Sequence, residues 1–429
     1  MRRGGLVAAL VGVLLLPAAS AGAAAEDCPP SGGVTLSRSP AGDGDFHFTG
    51  GGWGHGVGMS QYGARGAALL GCGSGQILRT YFPGTRVADT PGPRRIRVSL
   101  STSASSLAVR TLAGAVPWRL CADGRCRTVA SQPGGAQWTV RVLADGSYRL
   151  GDGATVRWRG GDAGRLLKAS LGAGPWGERI VRLGSGARYR WGTLELDSVR
   201  ATDARAYVTV ALPLERYLYG LGEMPSSWPT AALRAQVVAG RTYALRRVQA
   251  HHGARPGCRC DVYATTVDQA YVGYDKEAEP GGYGARWVAA VRATGGRTLR
   301  WGGETAQVFY SSSHGGWSES SRFVWGGDVP YLRAVDDRRW EAASGNPLSS
   351  WTRAYGARAL GSLLGVGAVR RVELPAPRGA GGRVGDPSRG YGGVRVVGTT
   401  GTRILSGDAV RQRLGLPSTL FRAGPVASR

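Results

Sequence analysis

Lysine is almost missing from this sequence. Lys168 and Lys276 are the only two, although lysine and arginine together number 54. The basic charge is therefore carried by arginine, and against 29 acidic residues it leaves a formal net charge of +25. Removing Arg2 and Arg3 with a leader would lower it to +23. Phenylalanine (6) trails tryptophan (13) and tyrosine (16), so the aromatic content is mostly amphipathic rings, which line sugar clefts as readily as β-rich cores. No repeat of fixed period is visible, which excludes solenoid and propeller architectures. The only long apolar run is Leu6–Leu16, about 11 residues against the roughly 20 needed to cross a bilayer. No later stretch is apolar enough to span one. No recognisable nucleic-acid motif accompanies the positive charge.

What is present points outward from the cell. Arg2 and Arg3, the run "LVAALVGVLLLPAAS" and the small residues of "AGAAAED" have the order of a secretory leader, expected over residues 1–25. The expectation is an exported chain with no transmembrane segment in its mature form, placed outside the cell or in the wall. There its charge would meet anionic wall polymers. Six cysteines in such a chain suggest disulfides: Cys28, Cys72, Cys121, Cys126, Cys258 and Cys260. In "CADGRC" the Asp123-Gly124 turn would bring Cys121 and Cys126 together across a hairpin. Cys28 with Cys72 is one pairing among several.

The 71 glycines favour many turns and short strands over long helices. Residues 26–90 hold a Gly-rich segment, "FTGGGWGHGVGMSQYGA", followed by helical stretches at "MSQYGARGAALL" and "SGQILRTYF". Residues 91–200 show short apolar alternations between glycine turns, the pattern of a β-rich region. Residues 201–345 break that pattern. "LERYLYGLGEM" reads as a short helix ended by "PSSWP". Ser227 is the candidate N-cap of a following helix with the apolar stripe Leu233, Val237, Gly240, Ala244, Leu245 and Val248. In residues 346–429, about 353–372 read helical and "GVRVVGTTGTRILSGDAVRQRLGL" reads strand, turn, strand, helix. The fold class expected is α+β, a β-rich region and a helical segment sharing one cleft.

The residue that asks for an explanation is Glu223, an acid set among Tyr217, Tyr219, Met224 and Trp228. One reading is a helix-end acid satisfied by backbone amides. The other is a proton donor: apolar surroundings disfavour the carboxylate and keep a glutamate protonated towards neutral pH. A neighbouring helix N-terminus would oppose that shift. Glu215, in the first turn of its helix, reads as a dipole or ion-pair partner.

Three segments carry a resemblance: "LPLERYLYGLGEMPSSWPTAALRAQVVAGRTYAL", "YSSSHGGWSESSRFVWGGDVPYLRAVDD" and "GGWGHGVGMSQYGA". They resemble the signature segments of the SpoIID/LytB family, the sporulation protein D and amidase-enhancer proteins. The resemblance implies peptidoglycan glycan strands as partner. It also implies lytic transglycosylase chemistry at the MurNAc-β-1,4-GlcNAc bond, leaving 1,6-anhydro ends. It makes Glu223 the catalytic acid and then base, with no cofactor. Ordinary glycosidases need two carboxyls, about 5–9.5 Å apart. A transglycosylase of this kind needs one, because the 6-hydroxyl of the substrate replaces water. Gln236 and Arg241 match recurring positions of the motif and would hold the sugar or brace the loop. Tyr219, Trp228, Ser312, Ser313, His314, Trp53, His55, Ser60 and Gln61 are the further candidates for binding glycan. A Ser–His hydrolase pair at 312–314 lacks an evident acid partner.

Two departures from the family pattern matter. The GWGHG segment precedes the catalytic segment here, where the family places it last, so the chain reads as circularly permuted. The loop is then expected to pack beside Glu223. The family's zinc ligands before Gln-x-Tyr are replaced by Val267 and Asp268. His251, His252, Cys258 and Cys260 could make a metal site by residue type, but export favours a disulfide, and no metal is expected. Two other functions remain open: a non-catalytic activator of a cell-wall amidase, and a wall-binding module acting through charge alone.

Overall fold

The computed structural model describes residues 46–90, 95–162, 164–172, 179–198 and 203–425. The leader reading, Cys28 and residues 91–94 lie outside them. Strands and helices are both abundant, and the fold is α+β.

Two sheets dominate the first half. A seven-stranded sheet runs in the order 262–263, 95–104, 206–213, 192–198, 166–172, 116–122 and 125–132. Its ladders are antiparallel except for Val262–Tyr263, which pairs parallel to Arg95–Ala104. A six-stranded sheet holds strands 156–160, 148–151, 137–142, 106–113, 180–183 and 188–189. Alternation explains both: in Leu166–Gly172 every second residue is buried, the period-2 signature of a pleated strand. The Cys121–Cys126 disulfide expected from "CADGRC" closes the hairpin of 116–122 and 125–132.

The helices, in chain order, are α1 (Gln61–Leu69), α2 (Ser74–Tyr81), α3 (Leu214–Tyr219), α4 (Thr230–His251), α5 (Tyr274–Glu277) and α6 (Tyr283–Ala293). They continue with α7 (Ser321–Trp325), α8 (Arg338–Ala343), α9 (Ala357–Leu364) and α10 (Gly407–Leu414). Helix α4 is the axis of the helical part, in contact with α1, α2, α3 and α6. It is buried on nearly every side from Ala232 to Val248, so its stripe is wider than one face. Its N-cap is Pro229, with ψ 141° and no side-chain cap bond, rather than Ser227. Proline fits there because the first helical N–H groups have no intrahelical partner to lose. One continuous apolar core joins α1, α2, α3, α4, α6 and α8 to both sheets, from Val57 and Met59 through Trp118 and Tyr217 to Trp287.

A second core gathers the C-terminal part, from Phe46 and Phe48 to Val410 and Phe421. Strand Phe46–Gly50 lies between Trp351–Tyr355 and Phe421–Pro425, antiparallel to both. The stretch read as helical at 353–372 is strand, helix, strand: Trp351–Tyr355, α9 and Val369–Glu373. Gly365 closes α9 in the left-handed region at φ 74°, and Trp351–Tyr355 is held extended by its distant partner Phe46–Gly50.

Candidate active groove

Helix α3 ends at Tyr219, earlier than the local pattern suggests. Residues 220–222 leave the helix to pair with 270–272. Gly222 N–H donates to Ala270 O at 2.7 Å and Val272 N–H to Gly220 O at 2.9 Å. A Cβ on Gly220 would fall 2.6 Å from the Tyr271 ring, so only glycine allows this approach. The pairing places Glu223 on a loop and aims Ala270 N–H at it, with Oε1 accepting at 2.6 Å. The loop is fixed from below. Lys276 Nζ donates to Met224 O at 2.7 Å, and Ser226 donates to Glu279.

Glu223 is part-buried and lines an open groove of about 650 Å3 with Met224, Tyr271, Val272, Asp275 and Lys276. Burial raises its pKa above the ordinary glutamate value. The Ala270 amide, the Tyr310 hydroxyl and the Gln61 side chain oppose that shift by hydrogen-bonding the carboxyl. The groove's other carboxylates are ion-paired: Asp275 Oδ1 lies 2.5 Å from Arg188 Nε and Glu279 Oε2 3.1 Å from Lys276 Nζ. A relay stands behind Glu223. Tyr217 donates to Gln269 Oε1 at 2.9 Å, and Gln269 Nε2 donates to Tyr310 Oη at 2.7 Å. The Tyr310 proton is thereby left for Glu223. Tyr310, Gln269 and Ala270 were not candidates from the sequence. The run Gln269-Ala270-Tyr271 was a visible signal, but only as a landmark for metal ligands.

The Gly-rich segment reaches Glu223 through Gln61. Its glycines alternate, and Gly52, Gly54, Gly56 and Gly58 all have positive φ, from 80° to 117°. A Cβ on Gly58 would fall 2.1 Å from Phe309 O. The segment then pairs Met59–Ser60 in parallel with Tyr310–Ser311. Gln61 opens α1, hydrogen-bonds Glu223, and donates from Nε2 to Gln236 Oε1 at 3.5 Å. Gln236 is fully buried on α4, and its own Nε2 has no partner among the described residues.

Residues 202–301 match the family model described as SpoIID, stage II sporulation protein. The chain carries a SpoIID domain. It is 35% identical over 130 residues to the amidase enhancer of Bacillus subtilis, which covers 30% of this chain and 15% of that protein. It is 26% identical to stage II sporulation protein D of Bacillus amyloliquefaciens over 217 residues, 49% of this chain and 60% of the relative. The Bacillus subtilis protein of that name matches at the same identity over 218 residues. The chain thus spans less than two thirds of the length of these relatives.

The remaining candidates divide by access. Trp53 is half exposed, and His55 lies against Phe309 and Trp325 with ring centroids 6.1 and 5.2 Å away. Burial pushes the His55 pKa down to about 3, so the ring is neutral. Ser312 is part-buried, and its carbonyl accepts from Tyr62 N–H. Trp228 is nearly buried, packed on Tyr62 with Arg65 over its ring at 5.3 Å.

Six candidates are corrected by burial, the fully buried Gln236 among them. Arg241 is 1% exposed and grips Glu215 bidentately at 2.7 and 2.8 Å while donating to the carbonyls of Val291 and Arg297. It braces α3 on α4 and has no face for a sugar. Ser60, Ser313 and His314 are sealed around Glu341. That carboxylate accepts from Ser60 Oγ (2.5 Å), Ser313 Oγ (2.7 Å), His314 N–H (2.6 Å) and Asn346 Nδ2 (2.8 Å). Ser313 therefore donates to Glu341 rather than to His314, and no triad forms. Tyr219 is buried beside Trp191 and Arg292.

Of the residues weighed as a metal site, Cys258, Cys260 and Asp268 are engaged in other contacts. Cys258 and Cys260 are joined in a disulfide. Asp268 accepts from Tyr243, Arg255 and the Tyr263 amide. Among the described residues no group of three metal-ligating side chains comes together.

Proposed function

We propose that this chain is an exported peptidoglycan lytic transglycosylase with Glu223 as its single acid and base. One observation carries the reading: Glu223 holds its proton more tightly than an ordinary glutamate, in an open groove whose other carboxylates are ion-paired. In the first step Glu223 gives its proton to the glycosidic oxygen as the bond to the MurNAc anomeric carbon breaks. In the second, the 6-hydroxyl of the same sugar attacks that carbon and returns its proton to Glu223, closing the 1,6-anhydro ring. Only one carboxyl is needed. Tyr310 and Gln61 steady the carboxylate formed between the steps. The order of segments, with the GWGHG loop first and yet at Glu223, supports reading the chain as circularly permuted.

The test is digestion of purified glycan strands, with and without stem peptides, by the chain and by Glu223→Gln. Mass spectrometry reads the anhydro ends. Anhydro products from the wild type alone establish the activity. No cleavage of either substrate sinks it. The relative named amidase enhancer supports a second reading, activation of a wall amidase. That activity would survive Glu223→Gln.

A further inference from the structure

The pleat of the six-stranded sheet sends Val109, Val140, Leu150 and Val181 into the core. Their neighbours in sequence therefore face solvent. Register decides which of these outward residues meet, and it sets arginine against arginine. Arg159 lies directly opposite Arg149, and Arg149 directly opposite Arg141, across strands 156–160, 148–151 and 137–142. A second row crosses strands 106–113, 180–183 and 188–189: Arg110 opposite Arg182, and Arg182 opposite Arg188. Each step between strands is about 4.8 Å. Ser106, which faces Arg141, stands four residues before Arg110, so the rows are offset by roughly 13 Å along the strands.

Like charges directly opposite one another on neighbouring strands work against the fold. Few acids relieve them. Among the described residues Asp145 feels Arg159, and Asp275 Oδ1 lies 2.5 Å from Arg188 Nε. The side chains of Arg110, Arg141, Arg149 and Arg182 have no hydrogen bond or ion pair among the described residues. The seven-stranded sheet is built differently. There Lys168 stands between Arg119 and Glu195, and Glu195 pairs with Lys168 at 2.9 Å and with Arg97 at 3.1 Å. In its ladders no arginine opposes another. An arginine-rich composition does not by itself explain rows three deep on one sheet and none on the other.

The face also limits what could cover it. A guanidinium fork takes two oxygens of a phosphate at once, and evenly spaced forks suit an anion that repeats along a chain. Rings on which bases could stack are missing, because Trp138, Tyr148, Trp158 and Tyr189 pack into or against the core. Between the arginines stand Ser106, Ala108, Gln137 and Thr139, which offer no apolar wedge for a bilayer. The second row ends at the candidate site: Arg188 holds Asp275, which lines the groove beside Glu223.

We infer that this arginine face is a docking surface for a linear phosphodiester polymer of the cell wall, one whose repeats carry no aromatic base. A polymer held there leaves the Glu223 groove at its edge. The placement in the wall rests on the function proposed above; the chemistry of the polymer rests on the face alone.

The test is titration of the intact chain into a labelled glycerol phosphate oligomer, read by fluorescence anisotropy. The variant carries Arg141→Gln, Arg149→Gln and Arg159→Gln together. The control carries Arg119→Gln, Arg125→Gln and Arg127→Gln, which removes the same charge from the seven-stranded sheet. The variant should lose about tenfold or more in affinity, and the control less than about twofold. Wild-type affinity should fall by roughly tens of fold between about 50 and about 200 mM salt. Because opposed arginines repel, the denaturation midpoint of the variant should equal or exceed that of the wild type. Equal losses in variant and control, or no binding of the oligomer, overturn the proposal. So does poly-glutamate, a single-stranded oligodeoxynucleotide or an anionic phosphatidylglycerol vesicle bound as tightly as the oligomer. A midpoint that falls together with affinity overturns it too, since the arginines would then be holding the sheet. Cleavage is not read. A chain that binds the oligomer and cuts no glycan keeps this surface and loses the transglycosylase, and the converse result does the opposite.

Discussion

Two buried acid clusters sit a short distance apart along the chain's paired segments, and they are built to opposite ends. Around Glu223 a carboxyl is part-buried, meets three donors and opens onto a groove. Around Glu341 a carboxyl is 3% exposed, meets four donors and opens onto nothing. Burial raises the pKa of both. The comparison teaches that a raised pKa does not mark a proton donor for substrate; access does. Glu341 instead ties Ser60 of the Gly-rich segment to Ser313 and His314, and so holds Gln61 beside Glu223.

The largest effect that would sharpen this contrast is on activity. Glu223→Gln should lower glycan cleavage roughly a thousandfold while chemical denaturation shows a stability change below about 1 kcal/mol. Equal losses of activity and stability would erase the distinction. Glu341→Ala should do the reverse. It strands four buried donors and costs at least about 3 kcal/mol of folding free energy, read in the same denaturation experiment.

A third test uses pH. Asp337, hydrogen-bonded by Tyr81 at 2.7 Å inside the sealed cluster, has its pKa pushed up by burial to about 7 from an ordinary 3.8. An acid with a raised folded pKa contributes stability that is present below its unfolded pKa and lost as pH rises to the folded one. His314, pushed down by burial to about 3, works in the opposite direction, since it charges only on unfolding at mildly acidic pH. The Asp337 share is isolated by difference. Asp337→Asn should gain on the wild type as pH rises from about 4 to about 7, by up to about 1.4 kcal/mol per pH unit. A flat difference would show that Asp337 does not titrate in this range. The smallest effect is expected at Tyr310→Phe. Losing a donor to the carboxylate raises the Glu223 pKa further, so the alkaline fall of activity should move to higher pH, with a loss near the optimum of about tenfold or less. An unmoved profile would remove Tyr310 from the site.

Much of the fold was legible. The β-rich stretch, the helix after Pro229, the strand–turn–strand–helix at the C-terminus and the Cys121–Cys126 bridge are all written in local periodicity and turn residues. The misreadings share a cause. Helix α3 was read too long and Trp351–Tyr355 was read as helix, because both are decided by pairing with strands far away in sequence. The site divides the same way. Glu223 stood out by its aromatic neighbours, and Gln61 by the family resemblance. Arg241, Ser60, Ser313 and His314 carried the same signal and proved to be buried scaffolding.

By itself, then, the sequence determined the residue types that make a groove acid and the local elements that carry them. The positive φ of Gly52, Gly54, Gly56 and Gly58 and the Asp123-Gly124 turn are local choices with local reasons. Only the tertiary structure decided which polar side chains face solvent and which face one another. Ala270 N–H, the Tyr310 relay and the saturation of Glu341 come from contacts between segments tens to hundreds of residues apart. Exposure and hydrogen-bond partnership are properties of the packed chain, and periodicity within a segment carries no record of what will cover it.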